Sequence, residues 1–199
     1  MIHIDYYFAT MSPFAYFAND GLEKVAQKHG ATIAYKPLDL LALFSRTGGI
    51  APAERHISRQ EYRMQELVRN AKHAGLEINP KPAFLPVNPA PSSYAVIAAQ
   101  SAGGGDVGLL ARTFLRAVWA EDRDIADDAV VRDCLEKSGF DPALSDSGML
   151  AGAETYSANL EEAVKRGVFG APFYITDTDQ RFWGHDRLDY LDVHLSGKM

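Results

Sequence analysis

The serine–proline pair at positions 12 and 13 suits both the start of a helix and the binding of an anion. Serine is a favoured helix cap, and proline suits the first helical position because it has no N–H to leave unpaired. The start of a helix also presents free N–H groups and positive dipole charge, which stabilise a nearby anion. The pair therefore predicts the start of a helix, with the Ser12 hydroxyl as either an ordinary cap or an anion ligand.

The cysteine content limits the thiol chemistry. Cys134 is the only cysteine, which excludes a Cys-x-x-Cys redox pair, an intramolecular disulfide and a cysteine-rich zinc site. Its spacing from Val130, Val131 and Leu135 is typical of a buried helical face, so we predict a packed, unreactive thiol. The histidines lack the spacing of metal ligands, and we predict no metal site.

Composition and charge argue against several classes of partner. The 199 residues carry a formal net charge of −6 with both signs interspersed, so no basic patch predicts a nucleic acid or an anionic membrane as partner. The first residues lack a basic segment followed by an apolar run, and no run approaches the roughly 18 apolar residues of a membrane helix. We therefore expect a soluble, cytoplasmic protein.

Both ends of the chain predict strands. Residues 2–8 and 32–38 are rich in β-forming types and flank a predicted helix that runs from Ser12 to Gly30. A helix between two strands predicts a parallel βαβ unit. Near the other end, two short β-rich runs predict a hairpin that is followed by a closing helix; these segments are residues 173–175, 181–183 and 187–195.

The middle of the chain predicts helices and no convincing strand. Residues 58–61 match a capping box, and four prolines between residues 81 and 91 predict an extended connection. Further helices are predicted over residues 93–100, 109–121, 127–137 and 151–166. We therefore predict an α/β fold in which residues 1–38 and 168–199 form one domain and residues 39–167 form an all-helical insertion.

Pro172 lies between a predicted helix and a predicted strand. Considered alone, it is expected to be a trans proline at the start of a strand, since only about 5–6% of X–Pro bonds in folded proteins are cis. The order β-α-β, helices, β-β-α with a proline at that junction resembles the thioredoxin fold with a helical insertion. Disulfide-oxidoreductase A proteins and kappa-class glutathione transferases have this arrangement, and the resemblance implies a cis bond before Pro172.

Three sequence blocks look like those of the 2-hydroxychromene-2-carboxylate isomerase family. They are residues 8–16 (FATMSPFAY), 167–172 (GVFGAP) and 182–188 (FWGHDRL). Intervening stretches at 43–49 and 117–121 also fit, so the similarity covers nearly the whole chain. Redox relatives carry Cys-Pro-x-Cys where this chain has Ser-Pro-Phe-Ala. Because dithiol exchange needs two thiolates, a thiol must come from outside.

The resemblance implies that this thiol is glutathione, used as a cofactor. Ser12 would be the catalytic residue, because a hydroxyl that donates to the bound sulfur favours the thiolate and lowers the thiol pKa. The backbone of Ala171, before cis Pro172, would pair with the glutathione backbone in the manner of an added strand.

The resemblance also assigns the γ-glutamyl end of glutathione to the segment that contains His185, Asp186 and Arg187. Asp186 would accept a hydrogen bond from its ammonium group, and Arg187 would pair with its carboxylate. The alternatives are a helix cap for Asp186 and a solvated surface charge for Arg187. His185 stands where related proteins commonly have asparagine.

The family's substrates are small aromatic carboxylates with a pyruvate-like arm, which need a basic partner and an apolar slot. Arg46 and Arg55 lie where the family places its substrate-binding charges, and Asn88 is a further candidate; a solvated charge is the alternative for either arginine. In the implied reaction the glutathione thiolate adds to the substrate, the ring opens, a carbon–carbon bond rotates, and elimination releases glutathione and a trans alkene.

Two other functions remain open. A kappa-like glutathione transferase or peroxidase would use the same cofactor site, but it would consume glutathione. A non-enzymatic binding protein on a thioredoxin scaffold would not bind glutathione at all. The resemblance also implies a possible homodimer.

Overall fold

A four-stranded mixed sheet, built from the two ends of the chain, carries the fold. The computed structural model describes residues 2–198. The strand order is β2-β1-β3-β4; β1 and β2 are parallel, and the other neighbouring pairs are antiparallel. This is the thioredoxin arrangement, so the predicted fold class is confirmed. The strands are β1 (His3–Phe8), β2 (Thr32–Pro37), β3 (Phe173–Thr176) and β4 (Arg181–Trp183).

Helices cover the sheet and fill the middle of the chain. In order they are α1 (Pro13–Ala18), α2 (Gly21–His29), α3 (Leu40–Thr47), α4 (Ile57–Ala74), α5 (Ala90–Ala102), α6 (Val107–Trp119), α7 (Asp128–Lys137), α8 (Leu144–Ser147), α9 (Met149–Lys165) and α10 (Leu188–Leu195). Two 3-10 turns occur at Pro52–Glu54 and His185–Arg187. The described part of the chain contains no helix that is both long and apolar enough to cross a bilayer.

Two details of the predicted helices are wrong. The single helix predicted from Ser12 to Gly30 is two helices, because Asn19, with φ of 46° and ψ of −126°, leaves the helical conformation and interrupts the helix. Asparagine adopts a positive φ more readily than most residues other than glycine. The predicted capping box is also absent: α4 begins at Ile57, and its cap is His56, whose side chain accepts a hydrogen bond from the Ser58 N–H.

Alternating residues of β1 serve two different cores. Ile4, Tyr6 and Phe8 pack in the main hydrophobic cluster, together with residues of α1 and of the helices in the middle of the chain. Tyr7 points to the opposite face and packs in a smaller cluster between the sheet and helices α3 and α9. Successive side chains of a strand point to opposite faces, so one strand can join both. The sheet and the helical segment share the main core, and their division into two domains stays a prediction.

Cys134 lies on α7 and is fully buried, as its spacing predicts. Burial raises the pKa of its thiol to about 12, so almost none of it is ionised near neutral pH. This cysteine is therefore unsuited to act as a nucleophile.

Candidate active site

Ser12 is held at the end of β1 by a tightly bonded loop. Its N–H donates to the carbonyl oxygen of Ala9 at 2.9 Å, which turns the chain from the strand into α1. The indole N–H of Trp119, on α6, donates to the carbonyl oxygen of Met11 at 3.2 Å. The backbone that leads from β1 into Ser12 is thus held by a turn at the end of the strand and by the helical segment.

The Ser12 hydroxyl caps α1 and keeps a donor. Its oxygen accepts a hydrogen bond from the Ala15 N–H at 3.4 Å, and its hydrogen has no acceptor within residues 2–198. Pro13 has no N–H, and the Phe14 N–H has no partner in the same part of the chain. Ser12 is 2% exposed, so an atom bound to its hydroxyl would lie against protein rather than in bulk water. The Ser12 hydroxyl can therefore cap α1 with its oxygen and donate its hydrogen to a bound anion at the same time.

The loop before β3 lies beside Ser12. Tyr7 of β1 is opposite Phe173 of β3, which places the Ala171–Pro172 bond next to the end of β1. This bond is cis, as the resemblance implies, and the trans expectation from Pro172 alone is wrong. Ala171 is 8% exposed, and its N–H and carbonyl have no backbone partner in the described chain. An extended peptide can satisfy such groups by adding as a strand.

His185 joins three elements around the start of α1. Its ring stacks on Phe14 with a centroid distance of 5.9 Å and an interplanar angle of 24°, and it meets the edge of Phe17 at 5.6 Å. Its Nε2 lies 3.0 Å from the Oδ1 of Asn70 on α4. We assign the proton to Nε2, because only a donor satisfies that oxygen. Burial lowers the pKa of His185, which favours this neutral form.

Asp186 and Arg187 follow at the surface. The Arg187 Nη1 donates to the Asp186 Oδ2 at 2.6 Å, and the guanidinium lies 5.6 Å from the ring centroid of Tyr190. Helix α10 begins at Leu188 and neither side chain caps it, so the helix-cap alternative for Asp186 is wrong. Because both groups are about half exposed, their ion pair is weak and can open for a ligand.

Comparisons with known proteins agree with this fold. A sequence profile of the DSBA-like thioredoxin domain matches residues 3–196. A 2-hydroxychromene-2-carboxylate isomerase from Sphingobium xenophagum is 33% identical over 195 residues, which cover 96% of this chain and 97% of the relative. The chain belongs to the 2-hydroxychromene-2-carboxylate isomerase family. Relatives at 30–33% identity over nearly the whole chain carry this isomerase name.

Further members and structures support the same placement. The isomerase of this name from Pseudomonas putida is 31% identical and covers 95% of this chain and 92% of its own. A solved 2-hydroxychromene-2-carboxylate isomerase superposes with a TM-score of 0.78 at 27% identity, over 98% of this chain and 95% of that one. A cytosolic disulfide reductase from Pseudomonas aeruginosa has a TM-score of 0.70 at 17% identity over 98% of both chains, and it shares the fold alone.

Of the two arginines predicted to bind substrate, Arg46 forms an ion pair within residues 2–198 and Arg55 does not. The guanidinium of Arg46, on α3, forms a two-pronged ion pair with Glu161 of α9 at the surface. Arg55 is half-buried; its Nε donates to the carbonyl oxygen of Ile50 at 2.9 Å, and its Cζ lies 5.8 Å from the ring centroid of Phe44. Arg46 is thus engaged elsewhere, whereas most N–H groups of Arg55 remain available.

Asn88 lies just before α5, close to the Ser12 loop. Its Oδ1 accepts a hydrogen bond from the Ala90 N–H at 3.1 Å, which forms a turn into the helix. The neighbouring Pro89 carbonyl accepts from the Thr10 hydroxyl at 3.4 Å. Asn88 is exposed and its amide N–H groups face no partner in the described chain, so its proposed contact with substrate stays a prediction.

Sequence reasoning missed Asn70 as the partner of His185. The two residues are 115 positions apart, and Asn70 belongs to no motif. One available signal was its position on the apolar face of α4, three residues after Leu67 and next to Ala71. A polar residue on such a face needs a partner, because a buried polar group without a hydrogen bond is costly.

Proposed function

We propose that this chain is a glutathione-dependent isomerase of 2-hydroxychromene-2-carboxylate or a similar aromatic, pyruvate-type acid. The observation that carries the proposal is the juxtaposition of Ser12, with a free hydroxyl hydrogen, and cis Ala171–Pro172, with unpaired backbone groups. A dithiol enzyme would need cysteines at Ser12 and Ala15. The site is built instead to hold a thiol that belongs to another molecule.

The residues present fit glutathione by their chemistry. The unpaired N–H and carbonyl of Ala171 suit the peptide backbone of the tripeptide. Asp186 and Arg187 offer the opposite charges that a free α-amino acid end requires, and their exposed ion pair can exchange for that ligand. Bound glutathione would supply a thiolate that adds to the conjugated substrate and leaves again, so that the carbon–carbon bond rotates in between.

Ser12 favours the charged form of the sulfur. A hydroxyl hydrogen bond to a thiolate, together with the free Phe14 N–H, stabilises the anion more than the neutral thiol and lowers the thiol pKa. Because α1 has only six residues, we attribute this effect to the local donors more than to a long helix dipole. The buried position of Ser12 strengthens these bonds, since less water competes for them.

An assay with limiting glutathione tests the reaction. The protein is given a large excess of 2-hydroxychromene-2-carboxylate over glutathione, and both the trans ring-opened product and the free thiol are measured. We expect many turnovers per glutathione with no loss of thiol. Ser12→Ala should lower the rate about 100-fold or more, whereas Ser147→Ala, at an exposed serine on α8, should leave it unchanged.

The other outcomes separate the alternatives. Stoichiometric loss of glutathione into a conjugate would contradict the isomerase and favour a kappa-like transferase. In a parallel assay with an added hydroperoxide, oxidation of two glutathione molecules to the disulfide for each hydroperoxide reduced to alcohol and water would favour a peroxidase. A rate equal to that of free glutathione would contradict any catalytic role for the chain with this substrate.

A further inference from the structure

A second set of functional groups lies at the first turns of α4. A cavity of about 360 Å³ opens between the 3-10 turn Pro52–Glu54 and this helix. Ile57, Arg63 and Met64 contribute to its lining, and Ile57 is 59% exposed. The cavity thus combines apolar walls with a positive charge, which is the chemistry that an aromatic acid requires.

Arg63 is unusual because its charge has no partner. It is half-buried, and it forms neither an ion pair nor a hydrogen bond with another side chain within residues 2–198. Burial lowers its pKa, and the charge of the nearby Arg55 lowers it further. Both effects show a guanidinium that is partly desolvated and not neutralised. An anion bound beside Arg63 would replace the lost hydration of the guanidinium and would offset its repulsion by Arg55.

Arg55 and Phe44 lie on the same side of the molecule as Arg63. Arg55 uses one N–H for the Ile50 carbonyl, and its guanidinium rests over the Phe44 ring, so the remaining N–H groups can contact a ligand. Glu61, an exposed carboxylate, also lines the cavity. Its negative charge disfavours a polyanion such as a nucleotide, and two guanidiniums suffice for a single carboxylate.

Arg63 lies on the part of α4 that precedes the link between this helix and the start of α1. Asn70 contacts His185, which stacks on Phe14, whereas the Tyr16 hydroxyl donates to the Glu77 carbonyl at 2.7 Å. His185 thus links the start of α1 to Asn70 of α4, whereas the later residue Tyr16 contacts the segment that follows α4, and from this we infer that the two helices run in roughly the same direction. Arg63 shares the inner face of α4 with Asn70 and lies about 10 Å before it, at 1.5 Å per residue.

We propose that Arg63, together with Arg55, binds the carboxylate of the aromatic substrate, with Met64 and Phe44 against its ring. This proposal rests on the proposed function, because it assigns the acid whose double bond must reach a sulfur at Ser12. It adds a residue that the sequence blocks of the family do not contain. Arg63 thus determines specificity for an acid over a neutral analogue.

Calorimetric binding of two matched probes tests the proposal. Chromone-2-carboxylate is a flat, unreactive analogue of the substrate, and chromone-2-carboxamide has the same ring without the charge. We expect Arg63→Met to weaken carboxylate binding about tenfold or more and carboxamide binding by less than about twofold. Arg63→Lys should retain part of the affinity. Arg59→Met, an exposed arginine on the same helix, should change neither constant by more than about twofold.

Separate titrations with glutathione keep this test independent of the cofactor proposal. If wild type binds no glutathione but Arg63→Met still loses the carboxylate selectively, the cofactor proposal fails and the Arg63 site stands. Equal carboxylate affinity in wild type and a folded Arg63→Met or Arg63→Gln variant would overturn the site. Failure of wild type to bind the carboxylate, or parallel loss of both probes in these variants, would overturn it as well.

Discussion

Ser12 occupies a position where a cysteine would enter redox chemistry. A serine cannot form a disulfide, but it keeps the helix cap and offers a hydrogen bond to a sulfur atom. Ala15 stands where a resolving cysteine would lie in redox relatives. A cysteine introduced at position 12 alone should therefore form a mixed disulfide but have no second thiol to resolve it. Under the proposed function, we expect the side chain at position 12 to decide whether a thiol is bound covalently or by hydrogen bonds.

Ser12→Cys should therefore trap glutathione without turning over. Its thiolate would attack oxidised glutathione, form a mixed disulfide and release one glutathione thiolate; with no second thiol nearby, the reaction stops there. Intact-protein mass spectrometry should show one added glutathionyl group on the variant. Wild type should stay unmodified, because Cys134 is buried and its pKa is about 12. An unmodified variant or a modified wild type would contradict this.

His185 should make stability depend on pH. Burial lowers its pKa, and the charges of His73 and Arg187 lower it further, whereas those of Asp186 and Glu66 act in the opposite sense. The folded state therefore binds fewer protons than the unfolded state below about pH 6.5, and the free energy of unfolding falls as pH falls through that range. His185→Asn keeps a side chain able to bond Asn70 but removes this titration.

Thermal unfolding between pH 5 and 8 measures the effect. The Tm of wild type should fall more steeply on acidification than that of His185→Asn. His194→Asn is the control for loss of a histidine elsewhere in the chain. Equal slopes for wild type and His185→Asn would show that His185 does not titrate between the two states.

At the scale of elements, the turn that carries His185, Asp186 and Arg187 depends on Gly184. This glycine has φ of 110°, a conformation that other residues adopt only with strain, and an added Cβ would lie 2.4 Å from the Asp186 Oδ1. Its N–H donates to the Pro172 carbonyl at 3.0 Å, which joins the turn to the cis-proline loop. A change here should disturb both parts of the proposed glutathione site.

Gly184→Ala should weaken glutathione binding about tenfold, with a loss of about 1–3 kcal/mol in the free energy of unfolding. Gly104→Ala is a close control, because Gly104 also has a positive φ, of 90°, but has open space around it and lies in the turn between α5 and α6. Calorimetry and urea unfolding measure the two quantities. Equal glutathione affinity in both variants would contradict the role of the turn.

Regular elements with strong local patterns were predictable from sequence. The strands at both ends and the helices α5, α6, α7 and α9 lie within about three residues of their predicted bounds. Boundaries set by single side chains were missed. The positive φ of Asn19 and the cap supplied by His56 depend on specific backbone geometry. Each competes with a more usual signal nearby, which is a continuous apolar period for Asn19 and a Ser-x-x-Glu box for His56.

At the scale of the whole molecule, a buried ion network ties α9 to the sheet. Asp5 of β1 pairs with Lys36 of β2 at 3.0 Å and with Arg166 just after α9, and Glu162 accepts from Lys36 at 2.7 Å. Burial alone would raise the pKa of Asp5, but hydrogen bonds from Arg166 and Lys36 outweigh it and hold the pKa below 3.8. The charged carboxylate is therefore part of the folded state.

Asp5→Asn should lower the free energy of unfolding by about 2 kcal/mol, because Lys36 and Arg166 lose their most buried carboxylate partner and keep only Glu162 nearby. Because the pKa of Asp5 is lowered in the folded state, wild type has this stability above about pH 4 and loses it as pH falls further. The free energy of unfolding of Asp5→Asn should depend less on pH over the same range, because asparagine does not titrate. Urea unfolding at pH 7 and pH 3 measures both effects. Glu161→Gln, which breaks the exposed pair with Arg46, should change stability by less than about 1 kcal/mol.

The site shows the limit of prediction at this scale. Ser12, Pro172 and His185 were found from sequence because each belongs to a block with a recognisable local pattern. Asn70 and Arg63 carry no such pattern, since the contact of Asn70 with His185 and the place of Arg63 in its cavity both depend on how α4 packs against the rest of the molecule. Such long-range contacts depend on how helices pack, which spacing along one helix does not specify.

We propose that Ser12 holds a glutathione thiolate, and this role can be measured directly. Calorimetric titration with glutathione, with ultraviolet detection of the bound thiolate, tests it on wild type, Ser12→Ala and the control Ser147→Ala. We predict binding with a thiolate signal in wild type and the control, and a weaker signal in Ser12→Ala at the same occupancy. Loss of the cap costs about 1 kcal/mol, so the variant should remain folded. Absence of binding at millimolar glutathione, or an equal thiolate signal in Ser12→Ala, would contradict the account.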